Sequence, residues 1–314
     1  MIKKISVCDY RISNKSHTTM TIAGDTITLR TVQNSIDECP IEKIDKDRFV
    51  VKSTGEIKQY RHDKLGRLAH TNNLRKTFSR IRDLINANVT MMNQDKVLFV
   101  TLTFAENMQN AYTAYNEFKK FVGRLKTYCI KHDFDIPQYI SVIEPQARGA
   151  YHFHVLLIFP NEAPFIPNNE LEEVWRNGFT DIQKLQGNVT NVGMYLTAYM
   201  SDIVVDENGK EVVITKEEQK KKSSIKKGAR LHFYPKGLHI VRHSRDIKLP
   251  TEIKTDYENA MKYIKEMPTM TLDYESAFEI KDKETGFENV ILKKYYSLKR
   301  GQAALLTFKE RKVR

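Results

Sequence analysis

The chain has 314 residues, 40% of them hydrophobic and 29% charged, so it can bury a sizeable core and wholesale disorder is excluded. Its net charge of +12 and isoelectric point near 9.3 favour a polyanionic partner, nucleic acid first and an anionic membrane surface second. Three widely spaced cysteines without a CxxC pair disfavour a disulfide framework and indicate a reducing compartment. No stretch of about 18 residues is apolar throughout, so we expect a cytoplasmic protein that does not engage a membrane.

The first elements in chain order fall into two regions with different patterns. Residues 1–67 hold short β-like pieces to which the sequence assigns no role. From about 68 to 88 the apolar residues follow helical spacing. They are Leu74, Phe78, Ile81 and Ile85.

A strand, a helix and a hairpin come next. "KVLFVTLTF" (96–104) alternates as a strand does, and residues 111–130 return to helical spacing. "QYISVIE" and "YHFHVLLIF" are two further predicted strands, and the "PQARGA" between them suits a hairpin turn. A helix is predicted at 192–202, and one or two strands with basic ends at 229–250.

This succession predicts the fold class. The order β-α-β-β-α-β from 96 to 241 is typical of an α+β fold, an antiparallel sheet with helices on one face. We divide the chain into three regions: an N-terminal β-rich region of unknown role (1–67), a central domain (68–250) and a C-terminal α/β extension (251–314). The central domain carries a charged, basic insertion near 203–230.

The hairpin strands contain three ionisable residues in apolar surroundings. His152 and His154 share one face of their strand, and Glu144 ends the preceding strand. In a hairpin register that sets Glu144 beside either histidine, the three groups could bind one divalent cation, with coordination positions left open. The alternative is one satisfied core histidine and one surface histidine.

The predicted helix at 192–202 carries a pair of tyrosines. Tyr195 and Tyr199 are four residues apart, so they share one face of the helix. They could be an aromatic stripe of the core. Beside a metal site in a basic chain, a tyrosine oxygen could instead attack a phosphodiester and retain the phosphate covalently.

Three segments together resemble the motifs of a known superfamily. "FVTLTF" (99–104), "EPQARGAYHFHVLLIF" (144–159) and "VGMYLTAYMSD" (192–202) are similar, in this order, to the three motifs of the HUH endonucleases. The resemblance is greatest to rolling-circle replication initiator (Rep) proteins of phages and plasmids. It covers about 70–250 and implies an HUH/RRM-like core.

The resemblance also implies an activity and its residues. His152, His154 and, as an acidic third ligand, Glu144 match the positions that bind Mg²⁺ or Mn²⁺. Tyr195 and Tyr199 match the nucleophiles that nick single-stranded DNA at a replication origin, which leaves a 5′-phosphotyrosine link and a free 3′-OH. The setting would be the cytoplasm of a bacterial host. A host DNA polymerase would extend the 3′-OH, and a host helicase would be needed because no GxxxxGK[ST] motif occurs.

The chain departs from the pattern beside the tyrosines and has a basic segment after them. Relatives often carry lysine where Ala198 and Asp202 stand. The segment 216–248 has eleven Lys/Arg residues against three acidic ones, interleaved with aromatic residues. This composition suits phosphates and unpaired bases. The candidate DNA contacts are Arg230, Arg242 and Arg245.

Three other functions remain open. An HUH relaxase or single-strand transposase shares the same chemistry. A non-catalytic, RRM-like nucleic-acid-binding protein accounts for the charge and the order of elements. A zinc hydrolase accounts for two histidines and a glutamate but leaves the tyrosine pair without a role.

Overall fold

The computed structural model contains two compact units that interrupt each other in sequence. The flanking unit combines Met1–His70 with Pro250–Gly301, and the central unit combines Thr71–Leu249 with Gln302–Arg314. The structure describes residues 2–7, 12–34, 41–60, 62–146, 149–185, 191–201, 203–205, 224–226, 234–235, 237–267, 269–281 and 288–298. For residues 2, 62–72, 195, 198–201, 203–205 and 224–226 this description is limited to the backbone.

The described residues form sixteen strands and five α-helices. The strands are β1 (Ile2–Ile5), β2 (His17–Ala23), β3 (Thr26–Val32), β4 (Ile41–Lys43), β5 (Arg48–Val51), β6 (Ile57–Gln59), β7 (Val97–Thr103), β8 (Gln138–Pro145), β9 (Tyr151–Ile158), β10 (Thr180–Lys184), β11 (Ile203–Val205), β12 (Ser224–Lys226), β13 (Val241–His243), β14 (Thr251–Asp256), β15 (Met270–Lys281) and β16 (Glu288–Leu298). The helices are α1 (His62–Asn88), α2 (Ala111–Lys131), α3 (Asn168–Trp175), α4 (Val192–Ser201) and α5 (Tyr257–Lys265).

The flanking unit is built on a six-stranded antiparallel sheet in the order β1-β15-β16-β3-β2-β14. Strands from both ends of the chain alternate in it, so the segments 1–67 and 251–314 contribute to one sheet. A separate small sheet has the order β4-β5-β6. The sequence did not indicate this pairing, because the strands that meet are more than 200 residues apart.

The central unit is built on a five-stranded antiparallel sheet in the order β10-β7-β9-β8-β13. The α+β class and the β-α-β-β-α-β succession are confirmed, as β7-α2-β8-β9-α3-β10. The second helix and the last strand of this succession are α3 and β10, whereas the sequence analysis used the helix at 192–202 and a strand ending at 241. That assignment was wrong because α3 has only eight residues, beginning directly after Pro167, and was not recognised.

Both faces of the central sheet are covered. Helices α2 and α3 pack on one face against Leu102, Phe153 and Val155. The opposite face packs against side chains of α1 and α4. Strands β7 and β9 are buried along nearly their whole length, and a strand that is apolar on both faces requires cover on both. The helices on one face are thus those of the β-α-β-β-α-β succession, and α1 and α4 form an additional layer.

The hairpin between β8 and β9 forms as predicted. Gly149 adopts φ +83°, a left-handed conformation that glycine adopts without strain. The Gln146 amide donates to the Ala150 carbonyl at 2.7 Å and closes the turn. Among the described residues, no helix is long and apolar enough to cross a membrane.

Candidate active site

The register of three neighbouring strands assembles the predicted metal ligands. Glu144 on β8 lies directly opposite His152 on β9, and His154 lies one row further along β9, opposite Val142. Because side chains alternate between faces, all three project from one face of the sheet. A slip of one residue in this hairpin would move the histidines to the opposite face. The tight turn at Gly149 therefore contributes directly to the site.

The three side chains converge on one carboxylate oxygen. The Nε2 atoms of His152 and His154 each lie 2.7 Å from Oε2 of Glu144. The exposed fractions are 1% for Glu144, 9% for His152 and 3% for His154. Burial raises the pKa of the Glu144 carboxyl, but the hydrogen bonds and positive charge of the two histidines outweigh it and hold that pKa well below its usual range. The site therefore holds a carboxylate.

The outer ring nitrogens of both histidines also have partners. Nδ1 of His152 lies 3.1 Å from the side-chain amide of Gln146, and Nδ1 of His154 lies 3.4 Å from the hydroxyl of Thr101. The His154 ring also stacks on Phe99, with centroids 5.6 Å apart and planes 7° apart. An amide and a hydroxyl can each accept a proton from Nδ1. They can therefore support the tautomer in which Nε2 is free to bind a metal.

The residues present fit a divalent cation. One ligand atom from each of Glu144, His152 and His154 lies within 4.8 Å of the other two. Two imidazoles and a carboxylate suit several divalent ions, and three protein ligands leave positions for substrate. The outer hydrogen bonds provide the orientation that ligating histidines require. The donor set does not distinguish Mg²⁺, Mn²⁺ and Zn²⁺.

Helix α4 packs on the face of the sheet that carries these ligands. Its Val192 and Leu196 belong to the buried cluster that includes Phe99, Val142 and Leu156, and these three alternate with the ligands along their strands. Both Tyr195 and Tyr199 lie in α4. Their side chains lie outside the described residues.

The start of α4 is held closely against α1. The Gly193 amide donates to the side-chain oxygen of Asn86 at 2.8 Å, and the Asn86 amide donates to Asn191 at 2.8 Å. A Cβ atom at Gly193 would lie 2.2 Å from the Arg82 carbonyl oxygen. Only glycine permits this approach, so the position of α4 over the sheet depends on it.

A residue that the sequence analysis missed extends the ligand row toward the edge of the sheet. Thr103 on β7 lies opposite His152, and Phe179 exchanges both backbone hydrogen bonds with Thr103 at 2.9 and 3.0 Å. Phe179 therefore faces the same side as His152, two strands away, and is 65% exposed. The turn-forming Asn177–Gly178 before an alternating segment was the signal that could have located this edge strand.

The three predicted DNA contacts lie in different places. Arg242 pairs in register with Ser141 and therefore faces away from the ligands. Its guanidinium lies 3.7 Å from the ring centroid of Tyr115 on α2. Burial raises the pKa of Tyr115 to about 12, although Arg242 opposes this. Arg245 is exposed just beyond β13, and Arg230 lies outside the described residues.

Comparison with known proteins adds one finding at this site. Residues 97–203 match a family of replication-associated proteins, the ORF2 type. This match, over about a third of the chain, begins at β7, includes the ligands and α4, and ends at β11. It supports a Rep-type protein that acts in DNA replication. No curated protein and no solved structure matches the chain.

Proposed function

We propose that the protein is an HUH-type rolling-circle replication initiator of a phage or plasmid, which nicks and rejoins single-stranded DNA at an origin. The observation that supports this most is that α4, which carries Tyr195 and Tyr199, packs on the sheet face that carries Glu144, His152 and His154. The matched family span includes both elements.

The three ligands would hold Mg²⁺ or Mn²⁺. When bound, the cation polarises the scissile phosphate and stabilises the charge that develops on it. Glu144 contributes the negative charge that balances the ion, and Thr101 and Gln146 orient the imidazoles. The burial of the ligands keeps water from competing for them.

The nucleophile is Tyr195 or Tyr199. Its oxygen forms a bond to phosphorus while the bond between phosphorus and O3′ breaks. The phenol loses its proton, the departing O3′ gains one, and the 5′ phosphate remains on the tyrosine. Two tyrosines allow alternation, in which one opens the origin and the other cleaves the regenerated origin after a round of copying. The free 3′-OH is the primer that a host polymerase would extend, behind a host helicase.

The DNA path that we propose follows the ligand row to the sheet edge. A base next to the scissile phosphate stacks on Phe179, which is exposed and lies about 10 Å from His152 across two strand spacings. Exposed aromatic rings bind unpaired bases with little sequence preference. Arg245 is a second contact in this proposal.

The RRM-like alternative has less support. Such a module binds nucleic acid on an uncovered sheet face, whereas both faces of the central sheet carry helices. A zinc hydrolase would use the same ligands, but it gives no role to α4. Relaxases and single-strand transposases share the proposed chemistry and differ in the DNA that they process.

The test is a nicking assay with single-stranded DNA from the surrounding replicon, in Mn²⁺ or EDTA, analysed on a denaturing gel. We expect a protein–DNA adduct with Mn²⁺, none with EDTA, and none with His152→Ala. His132→Ala is the matched control, because His132 is exposed at the end of α2. Cleavage by His152→Ala with unchanged metal dependence would contradict the assignment.

A further inference from the structure

The six-stranded sheet of the flanking unit has two chemically different faces. Helix α5 packs on one of them, where its Ala260 and Ile264 belong to a buried cluster with Met20, Leu29 and Tyr296. The strand registers place the alternate residues on the opposite face. We call this opposite face the Tyr274 face, because Tyr274 is its most exposed aromatic residue.

Two neighbouring rows of side chains cross the Tyr274 face. The first row is aromatic and then small and polar: Tyr274 on β15, Tyr295 on β16, Thr28 on β3 and Thr21 on β2. The second row is mainly basic: Ser276 on β15, Lys293 on β16, Arg30 on β3, Thr19 on β2 and Lys254 on β14. The rows are two residues apart along each strand, about 7 Å.

The basic row contains a pairing that opposes folding. Lys293 lies directly opposite Arg30, and both are half-buried. Like charges at directly opposed positions destabilise an antiparallel pair. On the other face of the same strands the usual arrangement occurs, since Glu275 lies opposite Lys294 with their charged atoms 3.7 Å apart. A bound anion between Lys293 and Arg30 would relieve their repulsion.

The aromatic row is accessible and adjoins the cations. Tyr274 is 50% exposed, and its ring centroid lies 6.0 Å from that of Tyr295, with the planes tilted by 32°. Lys4 donates from Nζ to the Tyr274 hydroxyl at 3.2 Å. Lys293 Nζ lies 6.0 Å from the Phe278 ring centroid. Rings for bases and cations for phosphates therefore lie side by side on one sheet surface.

We propose that the Tyr274 face binds single-stranded nucleic acid. Bases stack on Tyr274 and Tyr295, and the phosphates lie along Lys293 and Arg30. Unpaired bases suit this surface better than a duplex, because stacking on a ring requires a base that is not already stacked in a helix. The proposal does not depend on the metal ligands or on nicking, and it gives a role to a unit outside the matched family span.

The first test maps contacts in the full-length chain. A thymidine oligonucleotide containing 5-iodouracil is cross-linked to the protein by ultraviolet light in EDTA, and the adducts are located by mass spectrometry. We expect adducts on Tyr274 or Tyr295, and their loss in Lys293→Gln/Arg30→Gln. Adducts found only in the central unit would overturn the proposal. The presence of EDTA separates this outcome from any failure of the nicking reaction.

The second test measures affinity by fluorescence anisotropy over a salt series, with single-stranded and duplex probes. Tyr274→Ala/Tyr295→Ala should weaken single-strand binding at least about tenfold, and Tyr274→Phe should not. Lys293→Gln/Arg30→Gln should flatten the plot of log K against log[salt] by about 1.4, for two phosphate contacts. Circular dichroism establishes that each variant is folded.

A matched pair of variants controls for net charge. Lys3 and Lys4 are adjacent, exposed residues of β1 that project from opposite faces. Lys4→Gln should weaken single-strand binding more than Lys3→Gln does. Equal effects of the two, unchanged affinity in the aromatic variant, or equal loss of duplex binding would each contradict a stacking site on the Tyr274 face.

Discussion

The two faces of strand β9 have opposite tasks. Phe153, Val155 and Leu157 project toward α2 and α3 and meet a layer of aromatic rings. His152 and His154 project toward α1 and α4 and meet Glu144. The first face gains stability from apolar burial. The second buries polar groups, which gain their stability only from one another or from an ion. We therefore expect substitutions on the first face to affect folding and those on the second to affect metal binding and DNA cleavage.

The largest expected effect is on the packing face. Phe153 is fully buried, with its ring centroid 4.8 Å from that of Phe118. Phe153→Ala should lower the free energy of unfolding by about 3–5 kcal/mol, measured by urea denaturation. Tyr112→Ala, on the exposed side of α2, should change it by less than about 0.5 kcal/mol. A similar small change for Phe153→Ala would show that this face is not the main core.

The next effect tests the position of α4 over the ligand face. Gly193→Ala places a Cβ 2.2 Å from the Arg82 carbonyl oxygen, so α4 must move. We expect adduct formation to fall about 100-fold while Mn²⁺ affinity is retained, since small misplacements of a reacting group are costly. Gly123→Ala in α2, where the added Cβ meets nothing within 4 Å, is the control. Equal rates for the two variants would separate α4 from the chemistry.

A smaller effect is expected from the outer partner of His154. Thr101→Val conserves shape but removes the hydroxyl 3.4 Å from Nδ1. It should weaken Mn²⁺ binding, measured by calorimetry, by about tenfold, as loss of an orienting hydrogen bond does. Thr103→Val, two residues along the same strand, should leave Mn²⁺ affinity unchanged. If the two variants bind Mn²⁺ alike, the Thr101 contact does not support the site.

The exposed ring at the sheet edge should have a modest effect. Phe179→Ala removes the proposed stacking partner and should weaken single-strand binding in EDTA about fivefold. Phe165→Ala, which removes an even more exposed ring outside the ligand row, is the matched control. A common effect of both variants would indicate general surface hydrophobicity rather than a DNA path along the row.

The smallest effect separates the two described arginines. Arg245→Ala should flatten the salt dependence of single-strand binding by about 0.7, for one phosphate contact. Arg242→Ala should leave it unchanged, because the Arg242 guanidinium lies over Tyr115 on the packing face. Flattening by Arg242→Ala instead would place DNA on both faces of the sheet and remove the distinction between them.

The local pattern predicted the elements around the site but not all of their partners. The alternation in "YHFHVLLIF" and the Gly149 turn predicted the hairpin, and its register brings Glu144 to the two histidines. Short elements escaped prediction, because α3 and β10 have too few residues for a clear period. The face of Arg242 could not be predicted, since it follows from the pairing of β13 with β8 across about 100 residues. The same holds for the sheet of the flanking unit.

The central claim is that a tyrosine of α4 attacks a phosphate held at the Glu144–His152–His154 site. The most direct measurement is mass spectrometry of the adduct trapped with Mn²⁺ and single-stranded origin DNA. The account predicts a nucleotide on Tyr195 or Tyr199, its disappearance in EDTA, and its absence from the His152→Ala variant. An adduct on Tyr151 or on another residue outside α4, or cleavage of the same DNA without any adduct, would contradict it.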